Sequence, residues 1–425
     1  MAVRTVTMSR RDFLTNSAAS TVALASFSIP AKSATDDALT PFSFGASDAA
    51  LMDLKRRLEQ TRWPERETGI GWEQGPPLAK VRQLVEYWRG GYSWRKCDAE
   101  LSQWPQFATR LNGLAVHFIH VRSQHQNALP IILTHGWPST ILLFRRVIAP
   151  LTDPTAHGGT AEDAFDVVIP SLPGFAFSEK PTERGWNAER IGRAWGLLMQ
   201  RLGYRSYVAQ GGDWGAFVTT AMAQQHAPGL DAIHLNFAQT VPDRIPPKLL
   251  PDQKRAVEGL KSFREKSSAY FQIQATRPQM IGYSLADSPV GQAAWLYDIF
   301  NGGTGNTGNP ENVLSRDDLL DEITLYWLTD TAASSARLYL EQAQLLGKHN
   351  NPGRVDLPVA VSVFPHDLLP ARSWAPQVYP RLFYWRELNR GGHFASLEVP
   401  ELFTNELRCC FRSFRAGGIQ GKEIR

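Results

Sequence analysis

The segment YVAQGGDWGAF constrains the fold more than any other part of the chain. A strand pattern runs into a turn of the form Gly-x-Asp-x-Gly, from Gly211 to Gly215, and a helical pattern follows directly. Such a junction is tight and strained, so small residues must flank a central side chain that is held at the top of a sheet. An Asp that only caps the following helix would also fit the pattern. The segment therefore makes Asp213 a candidate nucleophile.

Strand patterns alternate with helical patterns along most of the chain. Strands are expected at residues 107–122, as an antiparallel hairpin, and at 130–137, 165–172, 206–210, 357–364 and 381–387. Helices are expected at residues 53–63, 78–90 and 188–202 and from residue 401 onward. The alternation predicts an α/β fold, a mostly parallel sheet with helices on both faces.

The same patterns divide the chain into five segments. Their expected roles are an export signal, an N-terminal helical arm with the first strands, the first half of an α/β core, a helical lid, and the second half of the core. The lid is expected because its helical patterns are broken by Pro and Gly, including the flexible tract NGGTGNTGNP. In that order the segments are 1–35, 36–125, 126–243, 244–351 and 352–425.

The N-terminus has the features of a secretion signal. Arg10 and Arg11 stand together in the sequence SRRDFL, and a weakly apolar run rich in Ala and Ser follows as far as Ile29. Pro30 and the small residues after it supply a cleavage region. We therefore expect export to the periplasm by the twin-arginine route, with a cytoplasmic protein as the alternative.

Composition argues against several classes of partner. The 45 Lys and Arg residues nearly balance the 41 Asp and Glu residues, and no long run of like charge is present to follow a nucleic-acid backbone. No apolar run reaches the roughly 18 to 20 residues of a membrane span. The three cysteines lack the spacing of a zinc site or a disulfide framework. We expect no nucleic-acid partner, no integral membrane span, no metal and no cofactor.

An Asp in the nucleophile position changes the expected reaction. A carboxylate is suited to displacement at an sp3 carbon, which gives an alkyl ester that water must then hydrolyse. His393 follows the last strand pattern in RGGHFASLE, and Asp367 follows the preceding one in FPHDLLP. The chain order of nucleophile, acid and His is that of the α/β hydrolases. Asp243, which follows an earlier strand, is the rival for the acid.

Several motifs together resemble one family, the microsomal type of epoxide hydrolase within the α/β hydrolase superfamily. The resemblance extends from about Phe42 to Phe414. It implies an N-terminal helical arm, an α/β hydrolase core and a helical lid. The motifs are RRLEQTRWPE, WEQGPP, HFIH, HGWP, PSLPGFAFS, GGDWG, DSPVG and RGGHFASLEVP.

The resemblance also implies a role for each candidate residue. Asp213 would be the nucleophile, Asp367 the acid and His393 the base. The backbone N–H groups of Trp137 and Trp214 would form an oxyanion hole for the ester carbonyl. The expected substrates are a lipophilic epoxide and water, and the product is a vicinal diol. The lid residues Tyr270 and Tyr339 would donate hydrogen bonds to the epoxide oxygen.

Three features depart from the family pattern. The acid is Asp where some relatives carry Glu, and Ala176 stands in PSLPGFAFS where Gly is frequent. The family's membrane anchor is replaced by the export signal.

Two other functions stay open at this point. A haloalkane dehalogenase would share the Asp, acid and His arrangement, but it would not need the tyrosine pair, because a departing halide takes no proton. A binding protein could keep the fold without the activity. A homodimer also stays open.

Overall fold

The computed structural model describes residues 38–346 and 351–415. Within them, nine strands form one sheet in the order β1-β2-β3-β5-β4-β6-β7-β8-β9. The strands are β1 (Thr40–Pro41), β2 (Gln106–Leu111), β3 (Leu114–Val121), β4 (Leu129–Thr134), β5 (Phe165–Pro170), β6 (Tyr207–Gly211), β7 (Leu230–Leu235), β8 (Val359–Val363) and β9 (Leu382–Glu387). The predicted export signal, residues 1–35, lies outside the described part of the chain.

The sheet has an antiparallel end and a longer parallel part. Strands β1, β2, β3 and β5 pair antiparallel, whereas β5, β4, β6, β7, β8 and β9 run parallel. Ile131, Ile132 and Leu133 of β4 are all fully buried, which explains the unbroken apolar run in the sequence. The predicted mostly parallel α/β sheet is confirmed. Its parallel strands end at one edge, and loops from that edge carry the site.

Helices cover the sheet in groups. Helices α5 and α6 pack together beside β4, β6 and β7, while α4 and α15 pack together beside β5. Six helices, α7 to α12, lie between β7 and β8 in the chain. In the described residues, none of the helices has the length and hydropathy needed to cross a bilayer. The α-helices are α1 (Asp48–Glu59), α2 (Leu78–Gly90), α3 (Trp94–Leu101), α4 (Ile148–Thr152), α5 (Ala188–Arg201), α6 (Trp214–Gln224), α7 (Pro251–Ser262), α8 (Ala269–Thr276), α9 (Pro278–Asp287), α10 (Pro289–Gly303), α11 (Arg316–Thr329), α12 (Ala332–Leu346), α13 (Ala375–Val378), α14 (Ala395–Glu398) and α15 (Pro400–Phe411).

Helix α1 differs from the expected 53–63. It begins earlier because the Ser47 hydroxyl accepts a hydrogen bond from the N–H of Ala50 and caps the first turn. It ends at Glu59, and the Thr61 hydroxyl then donates to the Leu58 carbonyl at 2.8 Å. The two-residue strand β1 was not expected, because so short a strand carries no alternating pattern.

A buried charge cluster anchors α11 to the core. Arg145, which lies between β4 and α4, pairs with Asp318 and Asp321 of α11. These three side chains are at most 9% exposed. Arg146 donates to both oxygens of Asp318 at 2.8 Å, and the Tyr92 hydroxyl donates to Asp321 at 2.7 Å. Charges this deeply buried are tolerated because they are paired.

Removing the central charge of this cluster tests its role. Arg145→Met leaves two buried carboxylates without their main partner, so we expect a loss of about 3 to 5 kcal/mol in the free energy of unfolding. The matched control is Lys180→Met, which breaks an exposed pair with Asp330 and should cost at most about 1 kcal/mol. Urea unfolding followed by circular dichroism measures both, and equal small losses would contradict the proposed anchoring.

Candidate active site

The turn after β6 holds Asp213 in a conformation that few residues adopt. Its φ is 50° and its ψ is −128°, directly before α6. The flanking glycines are required by space: a Cβ on Gly211 would lie 2.1 Å from the Gly215 carbonyl oxygen, and one on Gly215 would lie 1.9 Å from the Thr134 carbonyl oxygen. A Cβ on Gly136 would lie 2.1 Å from Asp213 Oδ1. Because these three positions are glycines, Asp213 can keep its strained backbone conformation with its carboxylate close to the end of β4.

Backbone donors flank the Asp213 carboxylate. The N–H of Trp137, in the loop after β4, donates to Asp213 Oδ1 at 2.7 Å. Trp214 is the first residue of α6, and N–H groups in the first turn of a helix have no acceptor within that helix. The positive end of the helix dipole also favours a negative charge at this position. The predicted pair thus lies next to Asp213, and the structure gives the Trp137 hydrogen bond directly.

The structure brings the predicted acid and base to the nucleophile. His393 Nε2 lies 3.2 Å from Asp213 Oδ2, and its Nδ1 lies 3.0 Å from Asp367 Oδ1. The side chain of Asp367 is only 6% exposed. Asp243, the rival for the acid, is exposed beyond β7. The three residues are adjacent although 180 positions separate Asp213 from His393, and the carboxylate beside the imidazole is that of Asp367.

Sequence reasoning missed the contacts that hold the His393 loop. The N–H of His393 donates to the Gly303 carbonyl at 2.8 Å, at the end of α10. Glu398 accepts hydrogen bonds from the N–H groups of Phe394, at 3.0 Å, and Gly305, at 2.8 Å. A Cβ on Gly303 would lie 2.8 Å from the Phe394 ring. The glycine tract that was expected to be flexible therefore lies directly against the loop of His393.

The two predicted tyrosines lie together over the site. The ring centres of Tyr270 and Tyr339 are 6.1 Å apart, and both rings contact the Trp137 ring, at 5.2 and 5.7 Å. Tyr339 also lies 4.6 Å from the Trp214 ring. Burial, together with the charge of Asp213, raises the pKa of both phenols above the usual value. Both therefore stay protonated at neutral pH, as a proton donor must.

Two neighbouring carboxylates raise the pKa of His393. Burial alone lowers the pKa of the imidazole, but the carboxylates of Asp367 and Asp213 outweigh burial and hold that pKa well above the usual value. The two carboxylates therefore favour the protonated form of the His393 imidazole in the free site. Among the described residues, no group of three or more His, Cys, Asp or Glu side chains is placed to hold a metal ion.

Comparison with known proteins agrees with this arrangement. Residues 39–144 match the family model described as epoxide hydrolase N terminus, and residues 130–265 match the α/β hydrolase fold. A Stigmatella aurantiaca protein named "Putative epoxide hydrolase" is 57% identical over 380 residues, which cover 89% of this chain and 86% of that protein. Epoxide hydrolase 1 of Sus scrofa is 34% identical, with 88% and 89% of the two chains covered.

The chain belongs to the epoxide hydrolase family. Two solved structures of epoxide hydrolases are similar to this one and support the family assignment. The juvenile hormone epoxide hydrolase of the silkworm Bombyx mori superposes with a TM-score of 0.80 at 27% identity, covering 89% of this chain and 95% of that one. The Aspergillus niger epoxide hydrolase gives 0.79 at 28% identity, with 92% and 99% covered. The predicted family, fold and enzyme class are confirmed, whereas the roles of the individual site residues stay predictions.

The position of His393 between two carboxylates has a measurable consequence. Asp213→Asn removes the negative charge beside Nε2, so the imidazolium loses part of its stabilisation and the pKa of His393 falls. Asp367→Asn should lower it as well, whereas the matched control Asp243→Asn should leave it unchanged. NMR titration of the His393 ring protons measures all three. An unchanged pKa in Asp213→Asn would show that Nε2 does not face the nucleophile.

Proposed function

We propose that this epoxide hydrolase converts its substrate to a vicinal diol through a covalent alkyl ester on Asp213. The proposal rests on one observation: the two oxygens of the Asp213 carboxylate have different partners. Oδ1 accepts the Trp137 N–H at 2.7 Å, while Oδ2 lies 3.2 Å from His393 Nε2. Oδ1 is therefore the oxygen that stays as a carbonyl, and Oδ2 is the oxygen that attacks.

In the first step, Asp213 Oδ2 attacks an oxirane carbon from within the site. The ring C–O bond breaks, and the negative charge that develops on the oxygen is met by the hydroxyls of Tyr270 and Tyr339. One phenol gives its proton to that oxygen, because an alkoxide is a poor leaving group without an acid. The products of this step are a hydroxyalkyl ester and a phenolate.

Esterification itself prepares the base for the second step. Asp213 becomes neutral, so the pKa of His393 falls and the imidazolium proton returns to the phenolate through solvent. The neutral imidazole then takes a proton from water, and the hydroxide attacks the Asp213 carbonyl carbon. The charge on Oδ1 is held by the N–H groups of Trp137 and Trp214. Collapse of this intermediate breaks the ester bond, the carboxyl proton passes to the departing alkoxide, and the charges return to their starting arrangement.

An aromatic wall supports a lipophilic substrate. The rings of Trp137, Trp214, Tyr270 and Tyr339 contact one another, and Phe271 lies 5.3 Å from Tyr339. These side chains offer apolar area with hydroxyl groups confined to two positions. A substrate with an apolar body and one epoxide oxygen fits that distribution of groups.

The tyrosine pair and the family assignment favour epoxides over haloalkanes. A halide leaves without a proton, so two protonated phenols beside the nucleophile have no purpose in a dehalogenase. A binding protein without activity is disfavoured, since Asp213, Asp367 and His393 are in contact. Export to the periplasm is proposed on Arg10 and Arg11 together with the apolar run to Ile29 and the cleavage region after Pro30, with a cytoplasmic protein as the alternative. A homodimer remains open.

Product analysis tests the proposed reaction. A panel of lipophilic epoxides and primary haloalkanes should give diol from epoxides and no halide, and Asp213→Asn should lose activity by more than about 10³-fold because it lacks the nucleophile. His393→Gln should accumulate the ester, seen by mass spectrometry on the peptide that contains Asp213. Substrate consumption with that peptide unmodified would refute the covalent route.

The two tyrosines should act on the first step only. Tyr270→Phe or Tyr339→Phe removes one donor to the epoxide oxygen, so we expect ester formation to slow by about 10- to 100-fold. Ester hydrolysis should keep its rate, which single-turnover quench experiments resolve. Tyr283→Phe is the matched control, since this lid tyrosine is 70% exposed and should leave both rates unchanged. Slowing of the second step instead would assign the phenols a different role.

A further inference from the structure

A small cavity lies behind the nucleophile. Its walls include Ser139, Gln210, Asp213, Asn236 and His393, and its volume is about 10 Å³, room for about one water molecule. None of the five aromatic side chains of the proposed substrate wall lines it. The cavity therefore has a different set of wall residues from the proposed substrate side, and Asp213 is among them.

One polar atom in the cavity wall, Gln210 Oε1, lacks a hydrogen-bond donor. Gln210 is 1% exposed, and its Nε2 donates to Asn236 Oδ1 at 2.7 Å. Its Oε1 is buried and has no hydrogen-bond partner among the described residues. A buried carbonyl oxygen left in this state costs free energy, and an ordered water is the usual means of satisfying it where space allows. The cavity supplies that space beside this oxygen.

Two neighbouring strands and a glycine place the Gln210 and Asn236 side chains beside each other. Gln210 is in β6, three residues before the nucleophile, and Asn236 directly follows β7. A Cβ on Gly212 would lie 2.6 Å from Asn236 Oδ1, so the glycine is what lets the amide approach. The Gln210 side chain is thereby fixed through Asn236, and its free oxygen stays in the wall that His393 shares.

We infer that this cavity holds the water that hydrolyses the ester, and that Gln210 positions it. The inference rests on the proposed covalent mechanism. The water donates one hydrogen to Gln210 Oε1 and the other to His393 Nε2, which leaves a lone pair for the Asp213 carbonyl carbon. In the reaction the new bond joins the water oxygen to that carbon, and the second proton moves to Nε2. The substrate side stays occupied by the bound alkyl group, so the water does not have to pass it.

Gln210→Met tests the inference, because Met keeps the side-chain length and removes the acceptor. With styrene oxide as the probe, single-turnover quench and mass spectrometry resolve ester formation from ester hydrolysis. We expect hydrolysis to slow by about tenfold or more, since the water loses its orientation, while ester formation stays within about twofold of the wild type. The ester should then accumulate during turnover.

A second variant and a control separate positioning from loss of structure. Asn236→Leu removes the partner that fixes Gln210, so it should slow the same step. Gln292→Met is the matched control: this lid glutamine is also 1% exposed and loses a buried hydrogen bond to the Ile323 carbonyl, but it lies away from the cavity, and both rates should be unchanged.

Each other outcome overturns the inference in a recognisable way. Unchanged ester hydrolysis in folded Gln210→Met would mean that the water comes from elsewhere. Equal slowing of both steps would mean that Gln210 only maintains the structure. If the wild type consumes the epoxide and no ester is ever detected, the proposed mechanism fails first, and the inference fails with it.

Discussion

The Asp213 carboxylate lies between the backbone N–H of Trp137 and the imidazole of His393, and the proposed chemistry of the site depends on that placement. The backbone N–H of Trp137 donates a hydrogen bond to Oδ1, while His393 Nε2 lies next to Oδ2. The strained backbone at Asp213 is what aims the two oxygens in these directions. Because the Asp213 and Asp367 carboxylates raise the pKa of His393, the ester proposed on Asp213 would lower that pKa without any movement of the imidazole. In the proposed mechanism, esterification of Asp213 thus determines when His393 is able to take a proton from water.

Much of the core follows from local patterns in the sequence. Continuous apolar runs predict the strands because their residues are buried on both faces, and the Gly-x-Asp-x-Gly turn follows because only glycine fits beside so crowded a backbone. The end of α1 was misplaced, because its pattern continues to Trp63 while the hydroxyl of Thr61 closes the helix earlier. Local periodicity carries little information about where a helix stops.

What sequence patterns cannot supply is contact between distant segments. The cluster of Arg145 with Asp318 and Asp321 joins positions more than 170 apart in the chain, and the pairing of Gln210 with Asn236 depends on the register of β6 beside β7. The family resemblance could transfer the roles of seven residues, since they occur in shared motifs. It could not reveal which side chains close the cavity or hold the loop of the base. Those facts require the packed molecule.

The hydrogen bond from the N–H of His393 to the Gly303 carbonyl distinguishes the end of α10 from the other helices between β7 and β8. Because the end of α10 shares this hydrogen bond with the His393 loop, a substitution that moves the end of α10 is expected to move the imidazole as well. Helices α8 and α12 have no such bond to that loop among the described residues, although they contribute Tyr270, Phe271 and Tyr339 to the proposed aromatic wall. Diversification of substrate range within this architecture is therefore channelled toward α8 and α12, and a library aimed at new epoxides should leave the Gly303 to Gly305 segment untouched.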